Sequence, residues 1–177
     1  MLTAPLLSEA TDADLPDLLP LVNRAYRGDA SRQGWTTEAH LLDGQRTDPD
    51  DLRELLHAPG ATFLLARNPA GQLLGSVYLK NQLSDLYLGM LSVEPTQQDQ
   101  GLGKHLLATA ETHARQLSCT SILISVISVR AELLAWYERH GFRRTGETAA
   151  FPTDTRFGVP RQKLELLLLR KDLVKYK

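Results

Sequence analysis

The segment 86-LYLGMLSVEPTQQDQGLGKHLLATAETHARQL-117 reads as a strand, a short polar loop and a helix, and the rest of the chain is arranged around it. Residues 87–93 are aliphatic, aromatic or β-branched with almost no charge, which suits a buried strand. Pro95 has no amide hydrogen to give a ladder, so the strand stops near Glu94. From Leu102 onward, Leu106, Leu107, Ala110 and Ala114 recur at helical spacing. Gln98, Asp99, Gln100, Gly101, Leu102 and Gly103 form the loop that opens this helix.

The chemistry lies in that loop. Glycines at the mouth of a helix let backbone N–H groups approach an anion closely. The helix N-terminus adds about half a positive charge, and Lys104 adds a full one. A phosphate or pyrophosphate is the natural guest. A Walker A loop ending at Gly103-Lys104 would need Gly at 98 and Ser or Thr at 105, where Gln98 and His105 stand. A dinucleotide fingerprint starting at Gly101 would need Gly or Ala where the chain has Leu106.

The pattern Gln98-x-x-Gly101-x-Gly103, directly after a strand and opening a helix, resembles the GNAT superfamily of acetyl-CoA-dependent N-acetyltransferases. The resemblance implies that Gln98, Asp99, Gln100, Gly101, Leu102, Gly103 and Lys104 cradle the pyrophosphate of acetyl-CoA, largely through backbone amides. It also implies that Leu91, Ser92 and Val93 hold pantetheine by their main chains. The stretch 131-AELLAWYERHGF-142 resembles the family's second motif, a helix ending Tyr-x-x-x-Gly-Phe. Tyr137 then matches the tyrosine that protonates the departing thiolate. A thiol pKa of about 8–9 and a phenol pKa of about 10 make that transfer reasonable.

Two departures stand out. Where the family often has Asn, about two turns before the tyrosine, this chain has Arg130, read either as a phosphate ligand or as a solvated helix-start residue. Some relatives carry Glu eleven residues before the loop glutamine, and here that position is Tyr87. Asp85 and Glu94 flank the same strand without matching by position. The base therefore stays unassigned, with a water relay anchored by Tyr87 as the expectation.

Length and composition agree with one α/β domain over 1–177. A net charge of −1 removes bulk electrostatics as a driver of nucleic-acid binding, which disfavours a tRNA-acetylating reading. Cys119 stands alone, so no intrachain disulfide can form, and it reads as a small buried residue. The N-terminus has no basic region followed by an apolar run, and no stretch approaches about 18 apolar residues, so the expectation is a cytoplasmic protein without a membrane span. His105 and His113 are eight positions apart on one helix, about 12 Å by rise, too far to share a metal ion.

Taken in order, the chain predicts a strand at 4–10, a helix after Thr11 or Asp12 and a second helix at 36–42. A third helix follows at 51–57, then a hairpin of 61–67 and 72–80, the central unit, and a strand at 121–127. The last elements are a helix at 130–139 and strands at 142–147 and 164–169. This order resembles the GNAT acyl-CoA N-acyltransferase fold, a three-layer domain whose mixed sheet is splayed between 87–93 and 121–127. In that fold the first helix–loop–helix forms part of the acceptor wall. Here that segment carries Tyr26, Arg27, Trp35, Glu38 and Arg46, and loops on a rigid scaffold concentrate binding residues. Two guanidinium groups, Arg27 and Arg46, favour an acceptor bearing a carboxylate. The acceptor itself, a small-molecule amine, a protein N-terminus or a lysine, stays open. The connection 148–162, with Phe151 and Phe157, covers the acceptor site or meets a second subunit of a homodimer. A rival reading is a non-catalytic acyl-CoA-binding module, favoured by the missing carboxylate base.

Overall fold

The computed structural model describes residues 3–173. In chain order the elements are β1 (Leu6–Glu9), a 3-10 turn at Asp12–Asp14, α1 (Leu15–Tyr26), a single-turn α2 (Gly28–Ser31), β2 (Leu42–Asp43) and α3 (Pro49–His57). There follow β3 (Ala61–Arg67), β4 (Leu73–Gln82), β5 (Asp85–Val93), α4 (Leu102–Gln116), β6 (Ser121–Ile127), α5 (Ala131–Arg139), β7 (Arg143–Ala150), β8 (Val159–Pro160) and β9 (Glu165–Asp172).

Local chemistry sets these boundaries. Thr11 and Asp14 make a capping box that leads the chain into α1, with Pro16 in its first turn. Asn68 turns the β3–β4 hairpin: its N–H donates to Gln72 O at 3.0 Å, its carbonyl accepts from Gly71 N at 2.9 Å, and its side-chain Oδ1 accepts from Gln72 N at 2.9 Å. Along β3 the side chains alternate, so Phe63 and Leu65 join Leu18, Leu21 and Leu52 of α1 and α3, while Leu64 and Ala66 join Leu106, Leu107 and Ala110 of α4. A sheet buried on both faces between helices is the three-layer arrangement expected of the sequence.

Seven strands run in the order β1-β3-β4-β5-β6-β9-β7, antiparallel throughout except between β5 and β6. That one parallel pair holds only from Asp85–Tyr87 against Ser121–Leu123, whereas β6 pairs with β9 from end to end. Beyond Tyr87 the two strands part and open a cleft through the middle of the sheet. A bulge adds to this. Tyr78 faces Gly89 and Ser76 faces Ser92, so β5 places Met90 and Leu91 opposite Val77, and Met90 takes φ +48°.

Three expectations need correction. Residues 36–42 are not a helix, because their donors are used elsewhere: Glu38 N bonds Tyr26 O at 2.7 Å, and Ala39 N bonds Thr37 Oγ1 at 3.1 Å. Strand β7 begins at Arg143, and Phe142 instead sits in the core at 2% exposure. The connection 148–162 is partly regular, with β7 extended to Ala150 and β8 paired with β2. Arg156 grips both oxygens of Asp48 at 2.6 and 2.7 Å, which holds the Asp48 carboxyl down at about 2 and fastens this connection to the start of α3. Among the described residues no helix is long and apolar enough to cross a membrane.

What fixes the irregular segment 27–47 is Glu38. Its carboxylate accepts from Arg27 Nε at 3.2 Å and from Arg130 Nη1 at 3.1 Å, with all three residues buried. Arg27 Nη1 also donates to the carbonyls of Gly44, Gln45 and Phe157, and Arg130 Nη2 to that of Thr36. Removing the negative partner leaves two buried cations facing each other. Glu38→Gln is expected to cost about 3–5 kcal/mol of stability, read from the midpoint of urea unfolding; a loss below about 1 kcal/mol would show that the segment is held by something else.

Candidate active site

Two cavities meet in the cleft between β5 and β6. The first, about 90 Å³, lies at the N-terminus of α4 and is lined by Asp99, Gly101, Gly103 and Lys104 together with Val93, Trp35 and Trp136. The second, about 280 Å³, lies between the parted strands and is lined by Tyr87 to Leu91 of β5, Ile124 to Ile127 of β6, and Arg27, Glu38, Arg46 and Arg130. Only Tyr26, Leu91, Leu133 and Tyr137 line both.

In the first cavity the loop before α4 turns on Gly101, at φ +86° with open space around it, so glycine is there for its backbone angle. Gly103 has room too: a Cβ there would lie 3.6 Å from Trp136. The Lys104 ammonium is exposed and makes no ion pair among the described residues. Backbone donors at a helix mouth beside a free cation form an anion site.

The main-chain edge of β5 continues this site. Glu94 N bonds Leu74 O toward β4, so by alternation the main-chain groups of Leu91 and Val93 face the open edge. There the Leu91 carbonyl accepts from the Tyr26 hydroxyl and the Val93 carbonyl from Gln98 Nε2. The amide N–H groups on that edge are the ones left for a ligand. Ser92 points elsewhere, fully buried, with its hydroxyl donated to Met90 O at 3.0 Å.

Gln98 has a role that the loop pattern does not reveal. Its Oε1 accepts from Trp35 N at 2.8 Å and Thr36 N at 3.4 Å, while its Nε2 donates to Thr36 Oγ1 at 2.8 Å and Val93 O at 3.2 Å. A Cβ on Gly34 would fall 2.4 Å from that Oε1. The side chain is a clamp between segment 34–36 and the end of β5, and only its backbone remains for a phosphate. Gln100 lies outside the first cavity, in a surface hollow beside His105.

Tyr137 is buried on α5, edge-on to Trp136 at 5.0 Å and to Phe142 at 5.3 Å between ring centroids. Its hydroxyl makes no hydrogen bond among the described residues, and burial pushes its pKa well above the ordinary phenol range. Tyr26 is raised likewise by burial, partly offset by the Arg130 charge. Tyr87 lines the second cavity from β5, also without a hydrogen bond to a described residue.

Arg130 fits neither of its two expected roles. It is 9% exposed, bonded to Glu38 and Thr36, and lines the second cavity but not the first. Arg27 is equally committed, and burial lowers its pKa against the pull of Glu38. Glu94 is held by Arg24 at 2.6 Å, and Asp85 by Ser121 and Arg170, so neither flanking carboxylate is free to act as a base. Phe151 and Phe157 place the 148–162 connection over the second cavity. Among the described residues no three His, Cys, Asp or Glu side chains converge on a metal position.

Sequence reasoning gave no place in the site to Trp136, Leu133, Thr36 or Met90. Trp136 sits inside the quoted helix motif and had a local signal; the Met90 bulge is a matter of register between strands and had none.

Comparison with known proteins places this geometry. The chain is 34% identical over 160 residues to a mycothiol acetyltransferase of Salinispora tropica, covering 81% of this chain and 50% of that protein. It spans about half the length of the curated relatives it matches. Among solved structures, the ribosomal-protein-S18-alanine N-acetyltransferase of Escherichia coli superposes with a TM-score of 0.72 at 15% identity, over 98% of this chain and 96% of that one. A Salmonella typhimurium protein solved with its cofactor acetyl-CoA gives 0.66 at 20% identity, over 99% and 97%. At such identities these likenesses show the fold. The model of the acetyltransferase (GNAT) domain matches residues 28–152, which takes in the split strands, the α4 loop and α5, and the chain belongs to the GNAT acetyltransferase family.

Proposed function

We propose that the chain transfers an acetyl group from acetyl-CoA directly to a primary amine, with both substrates bound at once. The observation that carries this reading is the meeting of the two cavities at Tyr26, Leu91, Leu133 and Tyr137, which gives each substrate its own entrance to one junction. Acetyl-CoA, when bound, supplies the acyl group as a thioester. The residues present fit it: the α4 mouth and Lys104 suit the pyrophosphate, and the edge amides of Leu91 and Val93 suit the pantetheine arm.

Tyr137 then donates its proton to the departing sulfur. Burial keeps the hydroxyl protonated across the working pH range, so its proton is present when the sulfur departs. The amine proton leaves through water held by the Tyr87 hydroxyl, since Glu38, Asp85 and Glu94 are bonded to guanidinium or hydroxyl groups and Asp154 stands at the exposed rim of the second cavity. The lack of a free carboxylate at the junction itself favours one alternative, a module that binds acyl-CoA without turnover. The two differ in one assay: CoA release that rises when a panel of amines is added.

The names of similar proteins refer to mycothiol and to a ribosomal-protein alanine. At about 280 Å³ the acceptor cavity is near the lower limit of small-molecule sites, which suits a compact amine or a single terminal residue.

Three variants test this reading. Gly103→Trp fills the first cavity from a position with room for a side chain, and calorimetric titration should show micromolar acetyl-CoA binding in the parent and none in the variant. Tyr137→Phe should lower kcat by about 10²-fold to 10⁴-fold with acetyl-CoA affinity unchanged. Because the Tyr137 pKa is raised, no basic limb from this group should appear below about pH 10 in the parent. Tyr87→Phe should lower kcat most at acidic pH, where the amine proton is hardest to remove; full kcat from pH 6 to 9 would end the relay.

A further inference from the structure

The second cavity carries more positive than negative charge, and its positive charges are unequal. Arg27 and Arg130 face Glu38 and are further bonded to carbonyls of Gly44, Gln45, Phe157 and Thr36. These bonds fix both guanidinium groups in the wall, so neither can turn toward a ligand without breaking a buried pair. Asp154, at the rim, is exposed and caps Arg156 N at 2.9 Å. Arg46 differs. Its backbone N–H is fixed by Asn23 Oδ1 at 2.9 Å, yet its guanidinium, half-buried in the cavity wall, has no hydrogen-bond or ion-pair partner among the described residues.

A half-buried guanidinium whose five donors bond no described residue has all of them available to a ligand. Its planar fork matches a carboxylate bidentately. Three arginines against Glu38 and Asp154 leave one net positive charge, which one monoanionic group neutralises and a phosphate dianion overshoots. Phe151, Phe157, Leu166 and Ile127 give the same wall an apolar side.

We infer that the acceptor is an amino-acid-like amine, whose carboxylate is held by Arg46 while its apolar body rests on Phe151 and Phe157. This rests on the acetyl-transfer reading above and narrows it to a substrate class. It replaces the two-arginine site expected from the sequence by a single hook, because Arg27 is a strut. It also gives Arg46 a specificity role: it selects the acceptor without touching the reacting atoms.

The test uses binding, so that it does not depend on turnover. N-acetylphenylalanine and N-acetylphenethylamine differ by one carboxylate, and each is titrated into the CoA-bound protein. The parent is expected to bind the carboxylate probe about tenfold to a hundredfold more tightly. In Arg46→Gln the two probes should bind alike, with CoA affinity unchanged; Arg46→Lys should lie between, since it keeps the charge and loses the fork. The Arg46 side chain bonds no described residue, so these variants should fold, which an unchanged thermal midpoint confirms. Equal binding of the two probes by the parent, no binding of either at millimolar concentration, or equal losses for both in Arg46→Gln would overturn the inference. Discrimination by Arg46 in a protein that acetylates no amine would instead overturn the transfer reading and leave the anion site standing.

Discussion

A carboxylate held between two guanidinium groups in the protein interior is costly to assemble, because three charges must leave water. Glu38 is such a group, and what it achieves is positional. The segment from Arg27 to Thr47 has almost no regular structure, only one helical turn and a two-residue strand. It is nevertheless held on α1, on α5 through Arg130, and on the 148–162 connection through the Phe157 carbonyl. Each of these is a bond to a fixed element. This wall of the second cavity is therefore an irregular loop fastened to elements on three sides.

The cleft behind that wall is a consequence of incomplete pairing. Three paired positions hold β5 to β6, and the strands then separate, so the β5 edge carries donors and acceptors with no strand opposite. An open edge inside a sheet would invite another chain. Here the Tyr26 hydroxyl and the Gln98 amide occupy its carbonyls, and the helices close over it. Met90 pays for part of this with a left-handed backbone angle that a side chain adopts reluctantly. The bulge places Leu91 at the junction of both cavities, where its main chain meets Tyr26.

The sequence was informative wherever chemistry is local. Strand β5, the glycine-bearing turn and α4 were all readable from one stretch, and the motif at 131–142 set Tyr137 on α5, because periodicity and turn residues act within a few positions. Residues 36–42 show the opposite case. Their apolar spacing suits a helix, but Thr36, Thr37 and Glu38 spend their groups on Ala25, Ala39 and Tyr26. Arg27 and Arg130 were legible as cations but not as partners, since the carboxylate they share is 11 positions from one and 92 from the other. Gln98 was legible as a motif letter, while its contacts lie 62 and 63 positions away.

These long-range bonds form one continuous path. Gln98 holds Trp35 and Thr36, the Thr36 carbonyl holds Arg130, Arg130 shares Glu38 with Arg27, and Arg27 reaches Phe157 over the acceptor cavity. The loop that meets the pyrophosphate in the proposed reaction is thus bonded, through four side chains, to the roof of the other cavity. This network reaches the junction through Tyr26, whose carbonyl accepts from Glu38 N and whose ring lies 5.9 Å from the Arg130 guanidinium, while the Tyr137 hydroxyl bonds no described residue. The fold separates two tasks: a buried network sets the shape of both cavities, and Lys104, Tyr137, Tyr87 and Arg46, whose side chains bond no described residue, line those cavities.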